Sequence, residues 1–146
     1  MSELRELYQE IILDHGKRPR NLRRLSGPAR SAKGFNPLCG DQCTVYVDVA
    51  DGRLRDVAFE GSGCAISTAS ASIMTETLKG KSSDEVEALF EKFHALVTGK
   101  GADSSLGKLD VFAGVAEFPA RVKCASLAWH TMRAALRGEA EPVTTE

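Results

Sequence analysis

Leu4, Leu7, Tyr8, Ile11 and Ile12 recur at helical spacing near the start of the chain. The pattern predicts an amphipathic helix that ends around His15-Gly16, ahead of Pro19. From Lys17 to Leu38 the periodicity lapses. Gly27-Pro28, Gly34 and Pro37 make this stretch a connector with room for one short edge strand. Strict alternation then sets in. Cys43, Val45, Val47 and Val49 fall on one face of a strand over Gln42–Ala50, with Thr44, Tyr46 and Asp48 on the other. Asp51-Gly52 is a hairpin signal, and Arg53–Glu60 is the returning strand, with Val57 and Phe59 on one face. A plain two-residue turn would set Val49 against Leu54 but Val47 against Asp56, placing a charge on the apolar face. The pattern therefore requires a bulge or a longer loop near Arg53–Asp56.

Helical period returns after Gly61-Ser62-Gly63. Cys64–Leu78 is a helix rich in Ala, Ser and Thr that closes at Gly80. Ser82 and Glu85 form a capping box for a helix whose face is Val86, Leu89, Phe90, Phe93, Leu96 and Val97. Gly99–Gly107 reads as a loop, and Leu109–Phe118 as a further helix ended by Pro119. A last helix runs from about Val122 to Leu136. Leu127, Ala128, Met132, Ala135 and Leu136 are its buried stripe, and Gly138 stops it. The expected fold is α+β, a small antiparallel sheet of about three strands with helices packed on one face. At 146 residues the chain makes one domain, expected over residues 1–138, with 139–146 as a frayed tail.

Composition narrows the function classes. Hydrophobic residues are 42% and charged residues 27%, ordinary values for a soluble globular protein. Nineteen Lys and Arg against twenty Asp and Glu leave a formal charge of −1. The only basic run, Lys17–Arg24, reads as a solvated connector, so no nucleic-acid partner is expected. No stretch is apolar for long enough to span a membrane, and the N-terminus lacks a secretory pattern, so a cytoplasmic protein is expected. In that compartment thiols stay reduced, and four cysteines point to metal or sulfur chemistry before disulfides.

Three of the four cysteines stand at element boundaries. Cys39 and Asp41 flank Gly40 in the loop before the first clear strand, and a glycine there lets both side chains turn toward one point. Cys64 follows Gly61-Ser62-Gly63 at a helix start, where backbone N–H groups favour a thiolate. Cys124 is placed in the first turn of the last helix. Thiolates and a carboxylate make a normal zinc donor set, although sequence spacing does not show that these four residues meet. Cys43 differs. Its parity puts it among the core valines, and it is left out of the site. Arg121 and Lys123 flank Cys124 and could offset the net negative charge of such a site. His15, His94 and His130 lie within helical patterns, away in sequence from every cysteine, and read as structural.

Asn36-Pro37-Leu38-Cys39-Gly40-Asp41, Gly61-Ser62-Gly63-Cys64-Ala65-Ile66-Ser67 and Arg121-Val122-Lys123-Cys124 resemble the three ligand-bearing motifs of the IscU/NifU-type iron–sulfur scaffold family. Leu7-Tyr8 through Asp14-His15, with Pro19-Arg20-Asn21, is similar to that family's N-terminal segment, and the resemblance spans Leu4 to Leu136. Within it the chain is most similar to the SufU branch. Lys123 stands where the scaffold branch has histidine, and Thr98–Pro119 resembles the SufU insertion. The scaffold branch's chaperone-recognition motif is not recognisable in Phe118–Lys123. The resemblance implies zinc bound by Cys39, Asp41, Cys64 and Cys124, and a pyridoxal-phosphate cysteine desulfurase as partner. It implies persulfide delivery to Cys39 and relay to downstream cluster-assembly or apo-proteins. Such a protein would be no stand-alone enzyme, but at most a zinc-dependent sulfurtransferase working with the desulfurase. Iron, or a transient [2Fe–2S] cluster built on the same ligands, is the scaffold alternative. A structural zinc domain for partner binding and a thiol redox switch are further alternatives.

Overall fold

The computed structural model describes residues 2–25, 29–100, 106–139 and 142–144. Helix α1 (Ser2–Lys17) leads into strands β1 (Arg30–Asn36), β2 (Asp41–Ala50) and β3 (Arg53–Ser62). Helices α2 (Ala65–Leu78) and α3 (Ser83–Val97), a 3-10 helix over Gly107–Glu117, helix α4 (Pro119–Arg137) and strand β4 (Val143–Thr144) follow. The sheet order is β3-β2-β1-β4, antiparallel except for β4, which runs parallel to β1 through Gly34–Val143 and Phe35–Thr144. The fold is α+β as expected, with a fourth, parallel strand supplied by residues expected to fray. The remainder of the Glu139–Glu146 segment (140, 141, 145 and 146) lies outside the described residues, as do 26–28 and 101–105.

The hairpin resolves its register conflict by a bulge. Asp51 and Gly52 both take positive φ (54° and 75°), as a tight two-residue turn of this hand requires. Val49 pairs with Leu54, yet Asp48 pairs with Asp56 and Val47 with Val57, so Arg55 is the extra residue. It returns Val57 and Phe59 to the buried face. The facing Asp48 and Asp56 are neutralised separately. Arg55 donates to Asp48 at 2.6 Å, and Arg23 and Lys79 lie 2.8 and 3.2 Å from Asp56.

Small residues let α2 sit at the centre. Ser67, Ala69, Ser70, Ala71, Ser72 and Thr75 are all buried, and α2 packs on α1, α4 and β3. Ser70 donates to the Ala125 carbonyl of α4 at 2.5 Å, so its hydroxyl is satisfied inside the core. Helix α4 crosses β1 and β2 so closely that a Cβ at Gly34 would overlap Thr131.

Three helical expectations change. The segment expected as an α-helix over Leu109–Phe118 is 3-10 over Gly107–Glu117. Its buried Leu109, Phe112 and Val115 recur every third residue, which is the 3-10 period. Phe93 packs edge-on to Phe112 and stacks on Trp129 with ring centroids 4.5 Å apart. Pro119 opens α4 rather than merely ending what precedes it, since its fixed φ and missing N–H suit the first helical position. In α1, Tyr8, Ile11 and Ile12 pack on the core, but Leu7 is half exposed.

Candidate metal centre

The candidate ligands lie where β1, β2, α2 and α4 come together. Asp41 is the first residue of β2, and its parity with Cys43, Val45 and Val47 aims it at the buried face, where it is fully enclosed. Cys39 precedes it on the turn between β1 and β2. That turn is closed by the Gly40 N–H donating to the Asn36 carbonyl at 2.9 Å, with Gly40 at φ +74°. Cys39 is exposed. Cys64 is the N-cap of α2: its Sγ accepts from the Ser67 N–H at 3.4 Å, the role a Ser or Asp side chain usually plays. Because α4 starts at Pro119, Cys124 lies in the second turn and not the first. It is fully buried, so its environment is the core rather than a helix terminus.

The structure brings Cys39, Asp41 and Cys124 together, with one ligand atom of each within 4.8 Å of the others. The Cys124 and Cys39 sulfurs are 3.4 Å apart. Ligand atoms around a tetrahedral zinc stand about 3.5–3.8 Å apart, given Zn–S near 2.3 Å and Zn–O near 2.0 Å. Cys64 lies beside this group and not within it. Its backbone N–H donates to Asp41 Oδ1 at 2.9 Å. Gly63 makes that approach possible, because a Cβ there would come within 2.6 Å of the same oxygen.

Burial pushes the Cys124 thiol well above the ordinary range, and the neighbouring Cys39, Asp41 and Cys64 push it the same way. Thiols and a carboxylate crowded in this manner oppose one another's ionisation, whereas a divalent cation favours all of the charged forms at once. The donor set fits zinc on that ground as well as on spacing. Cys43 has the opposite character. It packs in the core, lies 3.6 Å from Thr131 Oγ1, and burial raises its thiol to about 11.

Asn36 was not singled out by sequence, yet it faces the site from the end of β1. It is fully buried and pairs with Asp41 across the hairpin. Its Nδ2 donates to Asp41 Oδ2 at 3.1 Å and to Cys124 Sγ at 3.6 Å, while its Oδ1 has no partner among the described residues. A strand reading carried through to Asn36 would have found it, because the four-residue turn then sets it opposite Asp41.

Arg121 is exposed. Lys123 lines a groove of about 230 Å³ with His94, Val122, Ser126, His130 and Val143. Among the described residues neither side chain makes a hydrogen bond or ion pair to the four candidate ligands. No helix among them is long and apolar enough to cross a membrane.

The NifU-like N terminal domain family matches residues 7–136. The iron–sulfur cluster assembly scaffold protein IscU of Streptococcus pyogenes serotype M1 is 40% identical over 142 residues, covering 96% of this chain and 89% of that protein. The zinc-dependent sulfurtransferase SufU of Bacillus subtilis is 38% identical over 133 residues, covering 90% of each. Among solved structures, the N-terminal part of a nitrogen-fixing NifU-like protein from Brucella abortus is 26% identical with a TM-score of 0.82, covering 90% of this chain and 92% of that one. By motif, fold and near full-length similarity, this chain belongs to the NifU-like N-terminal domain family.

Proposed function

We propose that this protein serves iron–sulfur cluster assembly by accepting persulfide sulfur from a cysteine desulfurase and relaying it onward. Cys39, Asp41, Cys64 and Cys124 would hold zinc, with Cys39 as the sulfur acceptor. The observation that carries this reading is the convergence of Cys39, Asp41 and Cys124 at one point, with Cys39 alone among the three exposed. A purely structural zinc site has no need of an accessible sulfur.

Zinc, when bound, would keep the ligand thiols deprotonated while muting their nucleophilicity. The rest is the chain's own work. Cys39 lies on the turn over residues 37–40, whereas Asp41 is held in β2 and Cys124 in α4, so Cys39 would be the ligand to leave the metal. Its thiolate then attacks the outer sulfur of the partner's persulfide. A new S–S bond forms on Cys39, the donor's S–S bond breaks, and the donor cysteine leaves as thiolate, so no external oxidant or reductant is consumed. The donor would be a desulfurase carrying pyridoxal phosphate, as the family resemblance implies.

The scaffold reading, in which iron and sulfide are assembled as cargo on the same residues, is favoured by the similarity to the Streptococcus IscU. Two experiments separate and test these readings. Mass mapping after incubation with desulfurase and cysteine should find one added sulfur on Cys39, and Cys39→Ala should accept none. A normal rate of acceptance by Cys39→Ala would refute the acceptor assignment. Anaerobic reconstitution that yields a stable, transferable [2Fe–2S] cluster would favour the scaffold.

A further inference from the structure

Each of the four candidate ligands is held differently, and Asn36 accounts for much of the difference. Asp41 is fully buried with both carboxylate oxygens accepting hydrogen bonds, one from Asn36 Nδ2 and one from the Cys64 N–H. Cys124 is fully buried and accepts from the same Asn36 amide. Cys64 accepts from the Ser67 N–H. Cys39 is exposed, and among the described residues its sulfur receives no N–H donor, only the Cys124 thiol at 3.4 Å.

The direction of the Asn36 amide follows from its surroundings. A carboxylate oxygen and a sulfur lie on one side, and both are acceptors. Turning the amide over would set its oxygen against both. The NH2 group must face the site, and the amide keeps it there although Oδ1 is left buried with no partner among the described residues. Elsewhere a buried side-chain amide would settle where both of its ends are satisfied.

We propose that Asn36 is a positioning residue that makes Asp41 and Cys124 the persistent ligands and leaves Cys39 as the one that detaches. An N–H donated to a thiolate withdraws electron density from sulfur and fixes its orientation. Cys124 receives that donation and Cys39 does not. Asn36 also anchors the Cys39 turn through its carbonyl, which accepts the Gly40 N–H. One residue thus clamps two ligands by its side chain and gives the third a hinge by its backbone. This inference rests on the metal-site reading above.

The test uses the full chain labelled with nitrogen-15 and loaded with cadmium-113. A scalar coupling between the metal and the Asn36 Nδ2 protons, transmitted through the hydrogen bond to Cys124, is expected. In the zinc-loaded protein, Cys39 should be alkylated first. In Asn36→Leu, which keeps similar volume but removes the donors, zinc affinity should fall about 10- to 100-fold, and Cys124 should react almost as early as Cys39. A residue that only filled space would change the melting temperature but neither the coupling nor the alkylation order. Couplings to the Cys124 β-protons without any to Asn36 would overturn the inference, as would unchanged affinity and order in Asn36→Leu. If that variant does not fold, the coupling in the unsubstituted chain decides. Absence of cadmium coupling to every cysteine would instead refute the metal site itself, and this inference with it.

Discussion

Two buried polar clusters lie along α2, one at its Cys64 cap and one at its middle around Ser72, and they are built on opposite terms. Around Ser72, near the end of α1, every group has a partner. His15, only 1% exposed, places Nδ1 2.6 Å from Ser72 Oγ, and the Lys108 ammonium donates to its Nε2 at 3.2 Å. The lysine therefore fixes the tautomer: Nδ1 carries the proton and Nε2 accepts. Ser72 Oγ also accepts from the Arg20 N–H at 2.8 Å, and Lys108 reaches Glu76 at 3.1 Å. Around Asp41 the terms are reversed. Among the described residues Asn36 Oδ1 has no partner, the Cys124 thiol is forced upward, and acceptors crowd together. A closed network of this kind stabilises the fold as it stands, whereas the open one leaves a donor set that could hold a cation.

Substitutions at the two clusters should therefore separate cleanly. The largest effect is expected at the ligands. Asp41→Ala or Cys124→Ser should weaken zinc binding by more than roughly 100-fold, because loss of a residue that merely supports a ligand already costs about 10- to 100-fold. Competition with a chromophoric chelator measures this. Next in size is the effect of the metal on folding. At zinc about 1,000-fold above its dissociation constant the native state gains about 4 kcal/mol, so chelation should lower the melting temperature by roughly 10 °C. His15→Ala should leave that zinc-dependent shift intact. An equal shift lost in His15→Ala would show the two clusters to be coupled.

His15→Ala should in turn destabilise the protein by about 2 kcal/mol, since Ser72 and Lys108 lose a buried partner. Urea unfolding reads that loss, and zinc affinity should not change. The smallest effect is on pH. Burial lowers the His15 pKa, aided by Arg20 and Lys108, and burial also lowers that of His130, aided by Arg133 and His94. A histidine with a depressed folded pKa leaves the native state short of a proton that the unfolded chain binds. Stability from this source is complete above the unfolded value near 6.5 and declines as pH falls toward the folded values. The decline can reach no more than about 1.4 kcal/mol per pH unit for each histidine. His15→Ala should flatten it in part, as denaturation across pH 7 to 5 would show.

What could be read from the sequence followed from conflicts that only one geometry resolves. Val47 against Asp56 requires a bulge or a longer loop, and the structure takes the bulge, at Arg55. Ser82 and Glu85 can satisfy each other in only one arrangement, and the capping box is present. Cys43 belonged to the core by parity, and that is where it packs. The same parity argument applied one residue pair earlier would have buried Asp41 as well. Other features depended on long-range packing. The three-residue period from Leu109 to Val115 was present but close enough to a helical one to be read as such. Val143 pairs with β1 only because that edge is open after the chain has folded. Reading Pro119 as a stop sets Cys124 at a helix start, whereas α4 begins at Pro119 and the extra turn puts Cys124 in the core. The meeting of Cys39, Asp41 and Cys124 was beyond spacing alone, since residues so far apart meet only through the crossing of α4 over β1 and β2.

The proposed chemistry turns most on which atoms hold the metal. X-ray absorption at the zinc edge of the loaded protein measures this directly. Three sulfurs near about 2.3 Å and one oxygen near about 2.0 Å are expected, with the oxygen lost in Asp41→Ala and the spectrum unchanged in Cys43→Ala. A shell of four sulfurs that loses one in Cys43→Ala would contradict the assignment, as would a protein that takes up no zinc.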